Sequence, residues 1–166
     1  MLVVSLTNTH YSHWLPLWRG YLEFYQEDLP QEITEITFKR LCDHAEKNMG
    51  GFIAFEGEKA FPKKCEAVFG QETRKKENRA IGLVHYVVHR CTWSDKDVCY
   101  LEDLYVDPNV RGGGVGRALI NKVADFAREN DLRHVYWQTN KANERSQILY
   151  EKMAGESEFI VYKLKL

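Results

Sequence analysis

The stretch Tyr100–Asn130, "YLEDLYVDPNVRGGGVGRALINKVADFAREN", decides how this chain folds. It opens on a run of aromatic and apolar residues that reads as a strand to Val106, and Asp107-Pro108 ends it. Four glycines then fall within Gly112 to Gly116, and from about Gly114 to Glu129 the periodicity changes to that of a helix. Val115, Leu119, Ile120, Val123, Phe126 and Ala127 share one side of that helix, so it lies on a core. A nearly bare backbone thus carries the chain from a strand into a helix N-terminus, whose first N–H groups have no partner within the helix. That is an anion site, and its ligand is expected to carry phosphate.

Two familiar phosphate loops fail on spacing. No Gly, four residues, then Gly-Lys-Ser/Thr run exists. A G-x-G-x-x-G reading meets Arg117 or Leu119 where the last glycine belongs. What the run does contain is Arg-x-x-Gly-x-Gly, at Arg111, Gly114 and Gly116.

Working outward, Leu2–Leu6 reads as a strand. Tyr11–Gln26 reads as a helix whose Trp14, Trp18, Tyr21 and Tyr25 recur on one face, with Pro16 acceptable only in a first turn. Leu29-Pro30 breaks it, and a shorter helix is expected over Thr34–Lys47. "GGFIAFEGEKAFPKK", Gly50–Lys64, carries turn residues and reads as a hairpin or a loop. Strands follow at Glu66–Gln71, Ala80–His89 and Val98–Val106, with the polar "ETRKKEN" as a turn between the first two. Beyond the glycines come a strand over "RHVYWQT", a helix over about Ala142–Met153 and an alternating terminal strand, "FIVYKLKL". The order predicts one α/β domain over residues 1–166, with a mixed sheet flanked by helices.

Composition narrows the function. The chain has 166 residues, 44% hydrophobic, enough for one packed core, and its net charge of −1 is dispersed, which argues against a nucleic-acid partner. No signal peptide or membrane-length apolar run is evident, so a soluble cytoplasmic protein, or a nuclear one in a eukaryote, is expected. Cys42, Cys65, Cys91 and Cys99 form no C-x-x-C pair, and the histidines, His85 and His89 included, form no metal-ligand pattern. No metal is expected.

The Arg-x-x-Gly-x-Gly run, placed between a strand and a helix and upstream of "NERSQILYEKM", resembles the pyrophosphate loop of the GNAT superfamily of acetyl-CoA-dependent N-acetyltransferases. "YLEFYQEDLP", "HRCTW", "YLEDLYVDP" and "VYWQTN" resemble its fungal histone-and-polyamine acetyltransferase group, and "LEDLYV" is also similar to spermidine/spermine acetyltransferases. The resemblance covers nearly the whole chain except Met49–Lys64. It departs at Met153-Ala154-Gly155, where the glycine stands one place later than the usual Tyr-x-Lys-x-Gly.

The resemblance implies a mostly antiparallel twisted sheet, splayed at the strand before the loop. It implies acetyl-CoA as co-substrate, held by Leu104, Tyr105 and Val106, by the loop residues Arg111, Gly112, Gly113, Gly114, Val115, Gly116 and Arg117, and by Asn143, Tyr150 and Lys152. Backbone groups at Leu104 and Val106 would pair with the pantetheine like an added strand. Tyr150 matches the general acid. Glu102 matches the carboxylate that deprotonates the amine, with Asp103 as its competitor and a structural salt bridge as the alternative for both. Spacing puts Asn143, Ser146, Gln147 and Tyr150 on one polar helix face. The aromatic face is expected to be mainly core, with Tyr25, Glu27, Asp28 and Trp93 available to a cationic amine.

Transfer to a small primary amine, a polyamine or an amino acid, is the leading expectation. Protein lysines, histone tails among them, are the second, and a CoA-binding sensor without turnover is the third. Related enzymes pair or exchange the terminal strand, so a homodimer or a dimer of dimers is expected.

Overall fold

The computed structural model describes residues 1–43, 45, 48–57 and 79–164. The strand expected at Glu66–Gln71 and the turn after it lie outside them. The described elements run β1 (Leu2–Ser5), α1 (Tyr11–Tyr25), α2 (Gln31–Cys42), β2 (Met49–Phe55), β3 (Ala80–His89), β4 (Val98–Val106), α3 (Val115–Glu129), β5 (Val135–Tyr136) and α4 (Glu144–Glu151). The strands form one sheet in the order β1-β2-β3-β4-β5, antiparallel except for the parallel β4–β5 pair. That last pair is joined by α3, the crossover helix that a parallel connection requires.

Two apolar clusters cover the sheet. Under α3, Leu119, Ile120 and Val123 pack on Phe52, Ala54, Val84, Cys99 and Leu101. On the other face α1 and α2 bring Trp14, Leu17, Trp18, Phe38 and Leu41 against Ile53 and Leu83. The helical spacing of the α1 aromatics delivers them as one row: Trp14 stacks on Trp18 at 5.5 Å and Trp18 on Tyr21 at 5.3 Å.

Four expectations need correction. Met49–Phe55 is a sheet strand, buried from Gly50 to Phe55, where the glycines suggested a turn. A Cβ on Gly50 would stand 2.6 Å from the Tyr86 hydroxyl, and one on Gly51 would stand 2.9 Å from the Val84 carbonyl, so these glycines admit neighbours rather than reverse the chain. Pro16 is the sixth residue of α1, in its second turn and past the first four N–H positions. The second helix starts at Gln31, directly after Pro30, and ends at Cys42. Among the described residues the terminal strand does not form: Phe159, Ile160, Tyr162 and Leu164 are 74–86% exposed and unpaired with the described sheet. An alternating strand needs a neighbour to bury one face, and none of the described strands lies beside it.

Among the described residues no helix is long and apolar enough to cross a membrane.

Candidate functional site

The site begins as an irregularity in β4. Tyr86 pairs with Leu101 and His85 with Asp103, which leaves Glu102 as one extra residue, a β-bulge. Leu101, Leu104 and Val106 therefore all join the α3 side despite their uneven spacing, while Tyr105 packs on the α1 side. β5 pairs with β4 only at Cys99 and Tyr100, short of the seven-residue strand that the sequence suggests. Trp137 leaves the sheet to pack against Tyr150 at 5.5 Å between ring centres. Among the described residues, β4 beyond Tyr100 thus has β3 on one side and no strand on the other. This is the splay, and its open backbone edge is where an extended amide-bearing ligand can add as a strand. Arg111 Nε donates to the Val106 carbonyl at 3.0 Å, so that acceptor is already engaged.

The glycine loop continues from this edge. Gly112 and Gly114 have φ of +92° and +82°, conformations that side-chain-bearing residues rarely adopt, and a Cβ on either would meet nothing within 4 Å. Gly114 is the N-cap of α3, and no side chain caps the helix there. The first-turn N–H groups of a 15-residue helix therefore face outward at a glycine corner, with the positive end of its dipole behind them. Gly113 turns its N–H back to the Val110 carbonyl, and Gly116 has ordinary φ and packs beneath Leu149 of α4.

A cavity of about 370 Å³ joins the β4 edge, the loop and α4. Leu104, Tyr105 and Val106 form one wall. Arg111, Gly112, Gly114, Val115, Gly116 and Arg117 form the floor, and Asn143, Tyr150 and Lys152 close it from α4. Of the residues expected around the cofactor, Gly113 alone stands off this lining. Tyr25 reaches the cavity, but Glu27 and Asp28 line a separate groove with Leu15 and Arg19. Trp93 is 76% exposed and rests on Phe159, and Glu102 stands beside the lining rather than in it. Ser146 lines the cavity, whereas Gln147 donates to the carbonyls of Asn140 and Lys141. Phe24 and Arg145 complete the wall without having been anticipated, because nothing in their local sequence distinguishes them from surface residues.

The protonation chemistry is set by packing. Burial raises the Tyr150 phenol above its ordinary value, against a smaller opposing effect from the Ser146 hydroxyl. The hydroxyl is a held proton. Partial burial, then the neighbouring Asp103, raises Glu102, so its carboxylate keeps a proton more readily than a free glutamate does. Asp103 receives two hydrogen bonds from below, from His85 Nδ1 at 2.8 Å and from the hydroxyl of the half-buried Tyr21. His85, unremarkable in the strand "AIGLVHYVVHR", is 2% exposed and was not anticipated at the site. Among the described residues no group of His, Cys, Asp or Glu is arranged to hold a metal.

Known proteins share this fold. Residues 14–155 match the acetyltransferase (GNAT) family model. The chain is similar to the D-amino-acid N-acetyltransferase of Saccharomyces cerevisiae, 35% identical over 150 residues that cover 90% of this chain and 81% of that one. It is also similar to the thialysine N-epsilon-acetyltransferase of Caenorhabditis elegans, 26% identical over 90% of this chain and 79% of that one. The crystal structure of a probable acetyltransferase superposes with a TM-score of 0.77 at 25% identity, covering 100% of this chain and 98% of that one. With the family model matching residues 14–155 and a relative 35% identical across most of both chains, the chain belongs to the GNAT family of N-acetyltransferases.

Proposed function

We propose that this chain transfers the acetyl group of acetyl-CoA to the primary amine of a small cationic molecule, an amino acid or a polyamine. The observation that carries the reading is that one cavity unites the unpaired β4 edge, the outward N–H groups at Gly114 and the protonated hydroxyl of Tyr150. Acetyl-CoA supplies a thioester carbon open to attack and a thiolate able to leave. Its pyrophosphate matches the glycine corner, with Arg117 and Lys152 at the rim, and its amide-bearing arm matches the open edge at Leu104. Glu102 takes the ammonium proton, directly or through water, so that the nitrogen lone pair is free to form the new C–N bond. As the C–S bond breaks, Tyr150 gives its proton to the sulfur, and the second proton that the nitrogen loses on becoming an amide restores the phenol, directly or through water.

The relatives' substrates support a small amine, as does the setting of Glu102 and Asp103 among Tyr21, Tyr25, Tyr100 and Tyr136, whose rings and carboxylates suit a cation.

A thiol-release assay across amino acids, polyamines and lysine peptides tests the substrate, with Tyr150→Phe testing the acid. Tyr150→Phe keeps ring and packing, so kcat is expected to fall about 10²-fold with CoA affinity unchanged. Full turnover with lowered stability would return Tyr150 to the core.

The exposed alternation of Phe159–Leu164 supports a homodimer in which this segment pairs with a second copy. Light scattering at micromolar concentration with acetyl-CoA is expected to give twice the chain mass, and a monomer would refute the pairing.

A further inference from the structure

Behind the acceptor side of β4, four side chains from three elements form one continuous hydrogen-bond chain. Trp14 Nε1 of α1 donates to His85 Nε2 of β3 at 2.8 Å, and His85 Nδ1 lies 2.8 Å from Asp103 Oδ2 of β4. The Tyr21 hydroxyl, one face of α1 further on, bonds to the same carboxylate. Trp14 is 0% exposed, and the side chains of His85 and Asp103 are 3% and 13% exposed.

The chemistry of the members allows one arrangement of protons. An indole N–H donates only, so His85 Nε2 accepts and carries no proton, and the ring's single proton sits on Nδ1 and points at Asp103. Burial, followed by the negative Asp103, raises the Tyr21 phenol far above its ordinary value, so that group also keeps its proton and donates it. Both donors converge on one carboxylate. A carboxylate offers about four acceptor sites, so capacity remains for a further donor.

Packing alone does not account for the histidine. Position 85 lies among Trp14, Trp18 and Leu83, where an apolar side chain would fill the space without a polar group to satisfy. The titratable and charged groups around the chain are Tyr21 and Tyr25 on α1 and Glu102 and Asp103 on β4. All four belong to the basin assigned above to the amine.

We propose that His85 is a positioning residue. Its Nδ1–H, fixed by Trp14, holds the Asp103 carboxylate in the orientation that receives the substrate ammonium before Glu102 takes its proton. The proposal rests on the acetyl-transfer reading and adds how the acceptor amine is aligned.

Two near-isosteric substitutions separate the two ends of the imidazole. His85→Gln places a carbonyl near the Nε2 position, so it keeps Trp14 satisfied and withdraws the donor from Asp103. His85→Asn places an amide N–H near the Nδ1 position, so it keeps the donor and orphans Trp14. With the best amine from the panel, His85→Gln is expected to raise KM for the amine about tenfold, leaving KM for acetyl-CoA and the melting temperature near wild type. His85→Asn is expected to lower the melting temperature by several degrees while holding the amine KM within about threefold. An amine KM that follows the melting temperature in both variants, or that stays unmoved in His85→Gln, overturns the proposal.

Long-range 1H–15N spectra of the unliganded protein read the tautomer independently of turnover. The neutral Nδ1–H form is expected, and an imidazolium or an Nε2–H form overturns the proposal. Wild-type protein that binds CoA but acetylates no amine defeats the function itself, and this proposal with it. Normal turnover with an unchanged amine KM in His85→Gln defeats this proposal alone.

Discussion

The two ends of the cavity are built by opposite means. At the cofactor end, the loop Arg111–Arg117 offers main chain: two positive-φ glycines, the uncapped start of α3 and the free edge of β4. At the acceptor end, Trp14, Tyr21, His85 and Asp103 come from sequence positions up to 89 apart, and the arrangement there rests on side-chain atoms, with Trp14–His85 and His85–Asp103 each at 2.8 Å. A main-chain site is encoded locally, by residues that permit a backbone path. A side-chain site is encoded by the whole fold. The first end can therefore serve any bearer of the same pyrophosphate, while the second is where specificity resides.

The largest effect expected from this contrast is at the loop. Gly114→Val forces a β-branched residue to φ near +82° and fills space that is open toward the cavity, so CoA affinity is expected to fall by about 100-fold or more. Thermal shift with millimolar CoA checks it, since a ligand bound only to the native state raises the melting temperature by mass action. Gly116→Val sharpens the comparison. Gly116 has ordinary φ, and its Cβ would meet Leu149 at 3.3 Å, so the same substitution is expected to disturb α3–α4 packing and lower the unliganded melting temperature. Equal CoA shifts for both variants would break the main-chain account of this end.

A middling effect is expected at Glu102. Its proton affinity is raised in the folded state by partial burial and then by Asp103, so the native chain binds that proton more tightly than the unfolded chain does. The linkage sign follows: the contribution to stability is present below the ordinary value of 4.5 and is lost as pH rises through the folded value. Glu102→Gln is therefore expected to match or exceed wild-type melting temperature at pH 7, with the advantage gone below pH 4.5, while kcat/KM for the amine falls about tenfold or more. Lower stability at pH 7 with intact turnover would make Glu102 a structural anchor.

The smallest effect is expected at Trp93, which stands clear of the cavity against Phe159. Trp93→Ala should leave kcat/KM for the amine within about twofold. A tenfold rise in KM would bring that region into the acceptor end.

The same division governs what could be read in advance. β3 and β4 lie at the expected residues, Ala80–His89 and Val98–Val106, because alternation and bounding turns are local signals. The loop, Asn143 and Tyr150 were legible as a motif with fixed spacing. Gly50-Gly51 misled, because a glycine that admits Tyr86 or the Val84 carbonyl looks the same in sequence as one that turns the chain. Glu27, Asp28 and Trp93 suited an amine by chemistry, but the fold places none of them on the cavity that holds Tyr25. His85 stayed hidden because its role depends on Trp14 and Asp103, which no window around residue 85 contains. The terminal "FIVYKLKL" shows the right alternation, but a strand also needs an edge to pair with.

The extra residue at Glu102 makes β4 a matter of parity. Before it, odd-numbered positions face α3, as Cys99 and Leu101 do, and after it even-numbered ones do, as Leu104 and Val106 do. Removing Glu102 would make Leu101 and Asp103 consecutive, matching Tyr86 and His85 in strict alternation, with Leu104 and Val106 still toward α3 and Tyr105 still toward the α1 aromatics. Conservative exchanges along this strand leave that ordering intact. The bulge thus adds one carboxylate to β4 while leaving the order of the residues on either side of it intact.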